Sequence, residues 1–373
     1  MSHSGRRART ALRDHNANNF DLLRLIAALL VLFSHSFAAV GQNEPTAWLD
    51  PTRGTWGHVG VLIFFSISGY LITSSWARSP HAVPYLVKRI FRILPALLAM
   101  TIVTAFVIGP LATDVGLRQY FTSPKVWAYP LVKTLMFVPG DFDPPGVFAG
   151  QPWPGINPSL WTLPVEFACY VTLMVLMLTR LRSWWVCLAG VVVAGVLNIQ
   201  PLFASTPLNR LTGNPLFHQS VELVAVFFMG ALLYTLRERI RLVVAVAAAL
   251  VVVAIVCSIL GVAGAITPLI FPYFVLTAAI TVPPIPLGGF RGWDLSYAVY
   301  LYGFPLQQLI VFVTHTRNPW LEFGLATVGS CVVAALSWRL LEKPMLTLGH
   351  VLARRPARAP AAASAIAAGA VEA

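Results

Sequence analysis

Charged side chains are scarce in this chain of 373 residues. Lysine, arginine, aspartate and glutamate make up only 11% of it, whereas about 25% is usual in a soluble globular protein. Hydrophobic residues make up 57% of the chain, and its mean hydropathy is +0.73. Apolar runs of about 20 residues, the length that crosses a bilayer as a helix, recur along the chain. The composition therefore excludes an ordinary soluble domain and predicts an all-α polytopic membrane protein.

Cysteine is also rare, with four residues in the whole chain. Cys169, Cys187, Cys257 and Cys331 all lie inside apolar runs, and none belongs to a Cys-x-x-Cys or Cys/His spacing. Cysteines in such surroundings behave as small buried hydrophobic side chains. The pattern implies neither a disulfide framework nor a metal site.

Acidic residues are the scarcer of the two charge types, 14 against 26 lysines and arginines, for a net charge of +12. A chain this basic could bind nucleic acid, but the positions of the charges argue against it. Ten transmembrane helices are predicted, at about 21–40, 57–76, 92–112, 158–178, 184–200, 217–236, 241–260, 265–281, 294–314 and 320–341. Of the basic residues, 19 fall on one side of these spans and 6 on the other, with Arg24 inside the first span. By the positive-inside rule the side with more basic residues is cytoplasmic and carries both termini. Nucleic acid is therefore not expected as a partner.

One membrane domain and two tails are predicted. Residues 1–20 form a basic cytoplasmic tail without the apolar segment of a cleavable signal peptide, so the first span is expected to remain as an anchor. Residues 21–345 form the membrane domain, and the Ala-, Pro- and Arg-rich residues 346–373 are expected to be a disordered cytoplasmic tail. The longest outer loop, about 113–157, is rich in proline, glycine and aromatic residues. It is expected to lack regular structure and to act as a lid or a binding loop.

Two ionisable side chains interrupt the apolar first span. Arg24 and His35 are separated by ten residues, so on an α-helix they project from nearly the same face, about 16 Å apart along its axis. Ionisable groups are costly inside a membrane and commonly mark function there. His35 is a candidate general base, and Arg24 is a candidate binding group for phosphate. The plainer alternatives are a hydrogen-bonded structural histidine and an arginine that extends to the lipid headgroups.

Glu166 is a third ionisable candidate, in the segment NPSLWTLPVEFACY. A helix that enters from the outer side near residue 158 would bring this carboxylate about 12 Å deep, a level similar to that of His35. Pairing with His35 or with another basic group would offset the cost of a charge at this depth. A structural hydrogen bond within the helix bundle is the alternative.

A basic segment, VKRIFRILP, precedes the third predicted span and carries Lys88, Arg89 and Arg92. These residues could be no more than a topology signal, or they could bind the phosphates of a cytosolic cofactor at the start of a helix. Pro95 is expected in an early turn of that helix. The preceding span contains GVLIFFSISGYLI, whose small and hydroxyl residues permit close helix packing.

Four further acidic residues lie near the ends of predicted spans. Because charge is less costly there, Glu222, Asp294 and Glu322 are set aside as candidates. Glu342 is followed by Lys343 and a proline, and the end of the last membrane helix is taken as a sufficient explanation for it.

Six motifs occur in one order along the chain: Arg24-x10-His35, GVLIFFSISGYLI, VKRIFRILP, SLWTLPVEFACY, DLSYAVYLYGFPLQQ and WRLLEKPM. Together they resemble the acyltransferase 3 family of integral membrane acyltransferases, which includes O-antigen and other polysaccharide O-acetylases. The resemblance covers about residues 18–345. It implies a ten-helix core that takes an acyl group, commonly acetyl, from cytosolic acyl-CoA and passes it to a hydroxyl of a sugar or a similar acceptor.

Site residues follow from the resemblance by position. The family's Arg-x10-His pair maps onto Arg24 and His35, and its acidic residue after the SLW-type motif maps onto Glu166. Its basic segment maps onto Arg89 and Arg92. One departure is Gly303, which stands after the YLY element where some relatives have a histidine, so no second catalytic histidine is expected there. Many relatives also carry a soluble esterase-like extension, which is not expected here.

The resulting hypothesis is a membrane O-acyltransferase of a multi-pass inner-membrane type that modifies a glycan or glycolipid. Its expected catalytic residues are His35 and Glu166. Its expected acyl-CoA-binding residues are Arg24, Lys88, Arg89 and Arg92. Its expected acceptor-binding residues, in and beside the outer loop, are Trp153, Ser159 and Trp161. Acyl-CoA is a co-substrate rather than a bound cofactor, and membrane lipid is the other expected partner. The rival hypothesis is a proton-coupled secondary transporter. The acceptor, the acyl chain length, the oligomeric state and the choice between direct transfer and an acyl-histidine intermediate stay open.

Overall fold

A computed structural model describes residues 18–46, 54–135, 142–153, 155–179, 181–198, 215–259, 263–285 and 292–354. Helices dominate these residues, and their one extended contact is an isolated antiparallel bridge between Thr113 and Val147. The helices are α1 Phe20–Ala39, α2 Trp56–Arg78, α3 Ala82–Val103, α4 Leu117–Thr122, α5 Pro124–Thr134, α6 Thr162–Leu178, α7 Ser183–Leu197, α8 Pro215–Thr235, α9 Val244–Ile259, α10 Ala263–Thr281, α11 Ser296–Thr314, α12 Pro319–Ser337 and α13 Lys343–Leu352.

Each of the ten predicted spans coincides with an apolar helix, namely α1 to α3 and α6 to α12. Within the described residues, seven of these helices have the length and hydropathy to cross a bilayer, and the three shorter ones are α7, α9 and α10. The predicted all-α polytopic membrane protein is therefore confirmed. The cytoplasmic placement of both termini stays a prediction. Asn18, before α1, and His350, in α13, border the same cavity.

Helix α3 begins ten residues before the predicted third span, at Ala82 rather than at residue 92. It continues through a π-helical turn, Thr104–Ile108, to the end of a short helix, Gly109–Ala112. Pro95 therefore lies inside the helix, not in an early turn as predicted. The prediction was wrong because hydropathy marks the part of a helix that lies in the bilayer. The helix itself extends beyond that part.

The outer loop is more ordered than predicted, because it contains the two short helices α4 and α5. Helix α4 is tied to the end of α3 by the buried Tyr120, whose hydroxyl donates to the Ala105 carbonyl at 2.7 Å. Farther along the loop, the buried Gln308 side chain of α11 donates to the carbonyls of Trp153 and Gly155 at 2.7 and 2.8 Å. Buried aromatic and amide side chains thus order a loop in which no regular structure was expected.

The last membrane helix does not end at Glu342. After α12 the chain passes through a π-helical turn, Trp338–Glu342, directly into α13. Residues 346–352, predicted to belong to a disordered tail, are therefore helical, while residues after 354 lie outside the described residues. Helix α13 packs on α3 so closely that a side chain at Gly349 would meet Phe91 Cβ at 2.6 Å. A proline in the first turn of a helix does not interrupt it, so the EKP sequence was a misleading stop signal.

Among the seven longer membrane helices, α2 is the most enclosed, with 78% of its most apolar 18-residue segment buried. Gly60 lies against α1, where an added Cβ would be 2.5 Å from the Ala27 carbonyl oxygen. On the opposite side, Gly69 lies against the backbone of Phe227 in α8 with no room for a Cβ. Small residues that let backbones approach are a common source of helix association in membranes. The packing role predicted for this segment therefore agrees with its contacts.

Candidate active site

Two cavities adjoin within the helix bundle. The larger has a volume of about 560 Å³ and the smaller about 150 Å³. Val61 of α2 and Tyr300 of α11 line both of them and so form a shared wall. Helix α1 runs past both cavities, with Arg24 in the wall of the larger and His35 in the wall of the smaller. The Arg24 and His35 side chains thus belong to two adjoining spaces.

The larger cavity is cationic. Among the described residues, helices α1, α2 and α3 contribute lysine and arginine side chains to its wall, namely Arg24, Arg78, Lys88, Arg89 and Arg92. The carboxylates in its wall are Asp21, Glu166 and Asp294. All four predicted acyl-CoA-binding residues therefore face one space. An excess of cations in a confined, weakly polar space attracts an anionic ligand.

Asp294 holds two of these arginines together. Arg24 Nη1 lies 3.2 Å from Asp294 Oδ2, and Arg92 forms an ion pair with the same oxygen. The buried Glu342 carboxylate lies 3.9 Å from Arg92 Nη1 and accepts a hydrogen bond from Ser337 at 3.0 Å. Burial would raise the pKa of Asp294, but the guanidinium groups of Arg92 and Arg24 lower it to about 2. Asp294 and Glu342 are thus structural counter-ions, which the sequence analysis did not foresee.

Two arginine atoms in this wall have unused hydrogen-bonding capacity. Within the described residues, no hydrogen-bond acceptor meets the buried Nε atoms of Arg24 and Arg89. Arg89 also contacts Ser75 Oγ through Nη2, at 3.4 Å. A buried donor without an acceptor is costly, and guanidinium groups bind phosphate oxygens through paired N–H groups. Both arginines are thus suited to an anionic ligand such as phosphate.

Glu166 faces the larger cavity and not the imidazole of His35. Its carboxylate accepts a hydrogen bond from Ser68 Oγ of α2 at 2.8 Å and another from the Tyr170 hydroxyl, one turn along α6. The hydrogen-bond partner of the His35 ring is instead Ser159. The expected pairing of Glu166 with His35 is therefore absent from this structure. The depth of a residue in the membrane sets its level but not the direction in which its side chain points.

His35 has a different set of neighbours. Its Nδ1 atom lies 3.4 Å from Ser159 Oγ, and its ring packs edge-on to Phe304 with centroids 5.2 Å apart. Phe304 in turn packs against Trp153 of the outer loop, with centroids 6.3 Å apart, and Trp161 lines the smaller cavity itself. The three residues predicted to bind the acceptor therefore lie around His35, at one end of the bundle.

Hydrogen bonds hold Ser159 in place. It lies in a 3₁₀ turn, Pro158–Trp161, where its N–H donates to Asn157 Oδ1 at 3.1 Å. The Asn157 side-chain amide donates to the Leu301 carbonyl at 2.9 Å, and the Tyr300 hydroxyl donates to the Ser159 carbonyl at 2.8 Å. Both bonds join the turn to α11. Ser159, which contacts the His35 ring, is therefore positioned by α11 as well as by its own 3₁₀ turn.

Sequence reasoning missed a second imidazole in the smaller cavity. His58, in the first turn of α2, lines this cavity together with His35. Its Nε2 atom lies 3.6 Å from Glu222 Oε2 of α8. Glu222 was set aside because it lies near the end of a span, yet its side chain is only 1% exposed. Position along a helix gives no indication of such burial, because burial depends on which neighbouring helix covers the residue.

Two other acidic residues near His35 are also buried. Glu322, which was set aside, is fully buried and accepts a hydrogen bond from Gln307 Nε2 at 3.1 Å. Gln307 also donates to Ser36 Oγ at 2.8 Å, so the three residues join α1, α11 and α12. Glu44, after α1, accepts a hydrogen bond from Ser34 Oγ at 2.5 Å. These bonds orient the part of α1 that carries His35.

Comparison with known proteins agrees with the family resemblance seen in the sequence motifs. The acyltransferase 3 family model, which describes an acyltransferase domain, matches residues 18–339. An O-acetyl transferase of Shigella phage Sf6 is 33% identical over 337 residues, which cover 89% of this chain and 97% of that protein. Nodulation protein 10 of Rhizobium leguminosarum bv. viciae is 32% identical over 382 aligned positions, with 91% and 95% covered. The acyltransferase MdmB of Streptomyces mycarofaciens is 30% identical over 181 residues, which cover 46% of this chain and 43% of that protein. No solved structure matches the chain significantly.

Proposed function

The chain belongs to the acyltransferase 3 family of membrane acyltransferases, and we propose that it transfers an acetyl group from cytosolic acetyl-CoA to a sugar hydroxyl. The sugar is part of a surface or exported glycan, and the protein works in the inner membrane. One observation carries the proposal: the cationic cavity and the His35 cavity share a wall made by Val61 and Tyr300. The two side chains of this wall would move aside to let a donor bound in one cavity meet an acceptor bound in the other.

The larger cavity receives the phosphates of acetyl-CoA. Arg24, Lys88, Arg89 and Arg92 face it together, and the Nε atoms of two of them lack acceptors within the described part of the chain. Phosphate oxygens would supply those acceptors through charge-assisted hydrogen bonds. The positive-inside rule predicts that this end of the bundle is in contact with the cytosol, where acetyl-CoA is available.

The acetyl thioester extends from this cavity toward His35. The helical rise of α1 separates Arg24 and His35 by about 16 Å, which is of the order of an extended pantetheine arm. The arm passes Val61 and Tyr300, the two residues common to both cavities. This arrangement lets one end of the donor bind cations while its thioester lies beside an imidazole.

His35 acts as the general base. When its Nδ1–H donates to Ser159 Oγ, the free Nε2 lone pair accepts the proton of the acceptor hydroxyl. The hydroxyl oxygen then bonds to the acetyl carbon, the carbon–sulfur bond breaks, and the leaving CoA thiolate takes up the proton that His35 had accepted. Glu166 acts from the donor cavity, where it orders the hydroxyls of Ser68 and Tyr170. Trp153 and Trp161 offer aromatic faces to the sugar rings.

The similarity to relatives supports the choice of acetyl. The phage relative is named an O-acetyl transferase and aligns along nearly its whole length. The MdmB relative is named an acyltransferase, without a named acyl group. Acetyl is therefore the first donor to test.

The test follows label from [14C]acetyl-CoA into de-O-acylated glycan, in membranes that contain the wild-type protein. The same assay is applied to His35→Ala, with His81→Ala as the matched control, because His81 is exposed and does not line either cavity. Transfer by the wild type and by His81→Ala, with none by His35→Ala, is the expected result. Full transfer by a correctly folded His35→Ala protein would refute the mechanism. Substrate flux across the membrane without acetyl-CoA consumption would favour the transporter.

A further inference from the structure

His58 is the second imidazole in the smaller cavity, and the reaction described above leaves it without a role. It comes from α2, whereas His35 comes from α1. Its backbone N–H donates to the Thr55 side chain at 3.1 Å, which caps α2 and fixes the start of the helix. The imidazole is therefore held by a defined helix end, and its side chain is only 11% exposed.

Glu222 secures the other side of this imidazole. Its Oε2 atom lies 3.6 Å from His58 Nε2, and its side chain is 1% exposed. A carboxylate at this depth is stable only when cations or hydrogen-bond donors surround it. Because Nε2 faces the carboxylate, the tautomer with its proton on Nε2 presents Nδ1 to a ligand. Carboxylate-backed imidazoles of this kind are oriented for hydrogen bonding to a third group.

The remaining wall of the smaller cavity has the composition of a saccharide site. Hydroxyl and amide groups come from Ser34, Thr55 and Gln219, and an indole comes from Trp161. Hydroxyl-rich ligands need several polar partners close together, and sugar rings pack their C–H faces on aromatic side chains. The volume of about 150 Å³ suits one part of a sugar unit and not a whole chain. The rest of the glycan would extend toward Trp153.

We propose that His58, held by Glu222, binds a hydroxyl of the acceptor sugar next to the hydroxyl that is acetylated. This inference rests on the proposed function. The acceptor class is a polyhydroxylated saccharide unit that presents two neighbouring hydroxyls, one to each imidazole. His35 reacts with the first hydroxyl, and His58 accepts a hydrogen bond from the second. Glu222 is a positioning residue, because it acts through His58.

The test measures both Michaelis constants of the full-length protein in membranes, with [14C]acetyl-CoA and de-O-acylated glycan as substrates. His58→Ala is expected to raise the KM for glycan about ten-fold, the loss typical of one hydrogen bond. The KM for acetyl-CoA should stay within about two-fold of wild type, because the donor lies in the other cavity. Glu222→Gln should raise the glycan KM less, and in the same direction. A glutamine at position 222 keeps an oxygen near His58 but loses the charge.

Glu238→Gln is the control for Glu222→Gln, because Glu238 lies in an exposed turn after α8 and lines neither cavity. An unchanged glycan KM in both His58→Ala and Glu222→Gln would overturn the inference, and so would an equal rise in both Michaelis constants. If His58→Ala does not fold, the glycan KM and the acetyl-CoA KM of Glu222→Gln and His58→Gln are compared in the same way to test the inference. The two proposals fail in different ways. Absence of transfer by the wild type refutes the proposed function. If the wild type transfers acetyl, His35→Ala abolishes the transfer and the His58 variants leave it unchanged, only this inference is refuted.

Discussion

The hydroxyl of Tyr300 donates a hydrogen bond to the backbone carbonyl of Ser159 at 2.8 Å, and Tyr300 lines both cavities. Ser159 in turn contacts the ring of His35. One tyrosine therefore forms part of the wall between the two cavities and also positions the hydroxyl next to the imidazole. This relationship links the geometry of α11 to the proposed chemistry on α1, and it gives the first prediction.

Tyr300→Phe should lower kcat about ten-fold, because Ser159 loses the bond that fixes its turn and small displacements at a reacting centre are costly. Stability should fall by about 1 kcal/mol, the usual net value of one hydrogen bond. The KM for acetyl-CoA should not change. Tyr273→Phe is the matched control, because its hydroxyl donates to the Arg241 carbonyl at 2.8 Å and lines neither cavity. The control should lose similar stability and keep its kcat, as measured by steady-state kinetics. Equal kcat in the two variants would contradict the prediction.

Arg89→Ala should weaken acetyl-CoA binding about ten-fold or more, because a half-buried guanidinium with a buried Nε atom loses its charge-assisted bonds to phosphate. The same variant should use the acetyl thioester of N-acetylcysteamine, which has no phosphate, as well as the wild type does. Arg239→Ala is the control, because Arg239 is exposed and lies outside both cavities. Competition assays with both thioesters give the measurement. Equal losses with the two donors would show that Arg89 does not act through phosphate.

Glu166 should be coupled energetically to Tyr170 and not to His35. A double-mutant cycle of Glu166→Gln with Tyr170→Phe should give a coupling energy of about 1 kcal/mol in stability, since the two side chains are hydrogen-bonded. The cycle with His35→Ala should give a value near zero, because these groups line different cavities. Unfolding in mixed detergent gives the measurement. A large coupling with His35 would restore the catalytic dyad expected from the sequence.

Asp294 should make the stability of the folded protein depend on pH in the acidic range. Its pKa in the folded protein is about 2, below the ordinary value of 3.8, so its ion pairs stabilise the protein above about pH 4 and are lost as the pH falls toward 2. A shift of this size corresponds to about 2 kcal/mol. Asp294→Asn should therefore be less stable than wild type at pH 6, and the difference should shrink toward pH 2.

Asp143→Asn is the control for Asp294→Asn. Asp143 pairs with Lys133 at 3.1 Å, but its side chain is 31% exposed. A partly exposed pair contributes at most about 1 kcal/mol. Thermal unfolding of the solubilised variants from pH 6 to pH 2 gives the measurement. A constant difference between wild type and Asp294→Asn across this range would refute the assigned role.

Gly69→Ala should destabilise the protein by about 1–3 kcal/mol, because its Cβ has no room beside the Phe227 backbone and α2 and α8 must move apart. Gly324→Ala is the control, since nothing lies within 4 Å of a Cβ at that position of α12. There the alanine should be neutral or should stabilise the helix by up to about 1 kcal/mol. Thermal unfolding of both variants gives the measurement. Similar behaviour of the two would show that close approach at Gly69 is not required.

The order of the helices could be predicted well from the sequence. Each of the ten apolar runs forms a helix, because the free energy of placing a segment in a bilayer depends mostly on its own residues. The Arg24 and His35 spacing was also informative, because two positions on a single helix have a relation set by helical geometry alone. The family could be recognised from six motifs and their order, which can be read along the chain without a tertiary structure.

Relations between helices were predicted less well. Glu166 was placed at the correct end of α6, but its hydrogen bonds go to Ser68 and Tyr170 instead of His35. Asp294 was dismissed by its position near a span end, although it pairs with Arg24 and Arg92. These errors share a cause. Which way a side chain points depends on the rotation of its helix about its own axis, and that rotation is set by the helices that pack against it.

Local sequence is therefore sufficient to predict that this is a membrane protein, which segments form apolar helices, and that Arg24 and His35 lie on one face of the same helix. Bilayer insertion and helical periodicity are properties of single segments, so they can be deduced without knowing the neighbours. Tertiary packing decided that Arg24 and His35 open onto separate cavities, that Tyr300 divides them, and that His58 and Glu222 meet beside His35. Each of these contacts joins residues far apart in the chain. Their proximity depends on the mutual rotation and close approach of α1, α2, α8 and α11, for which small residues such as Gly60 and Gly69 leave room.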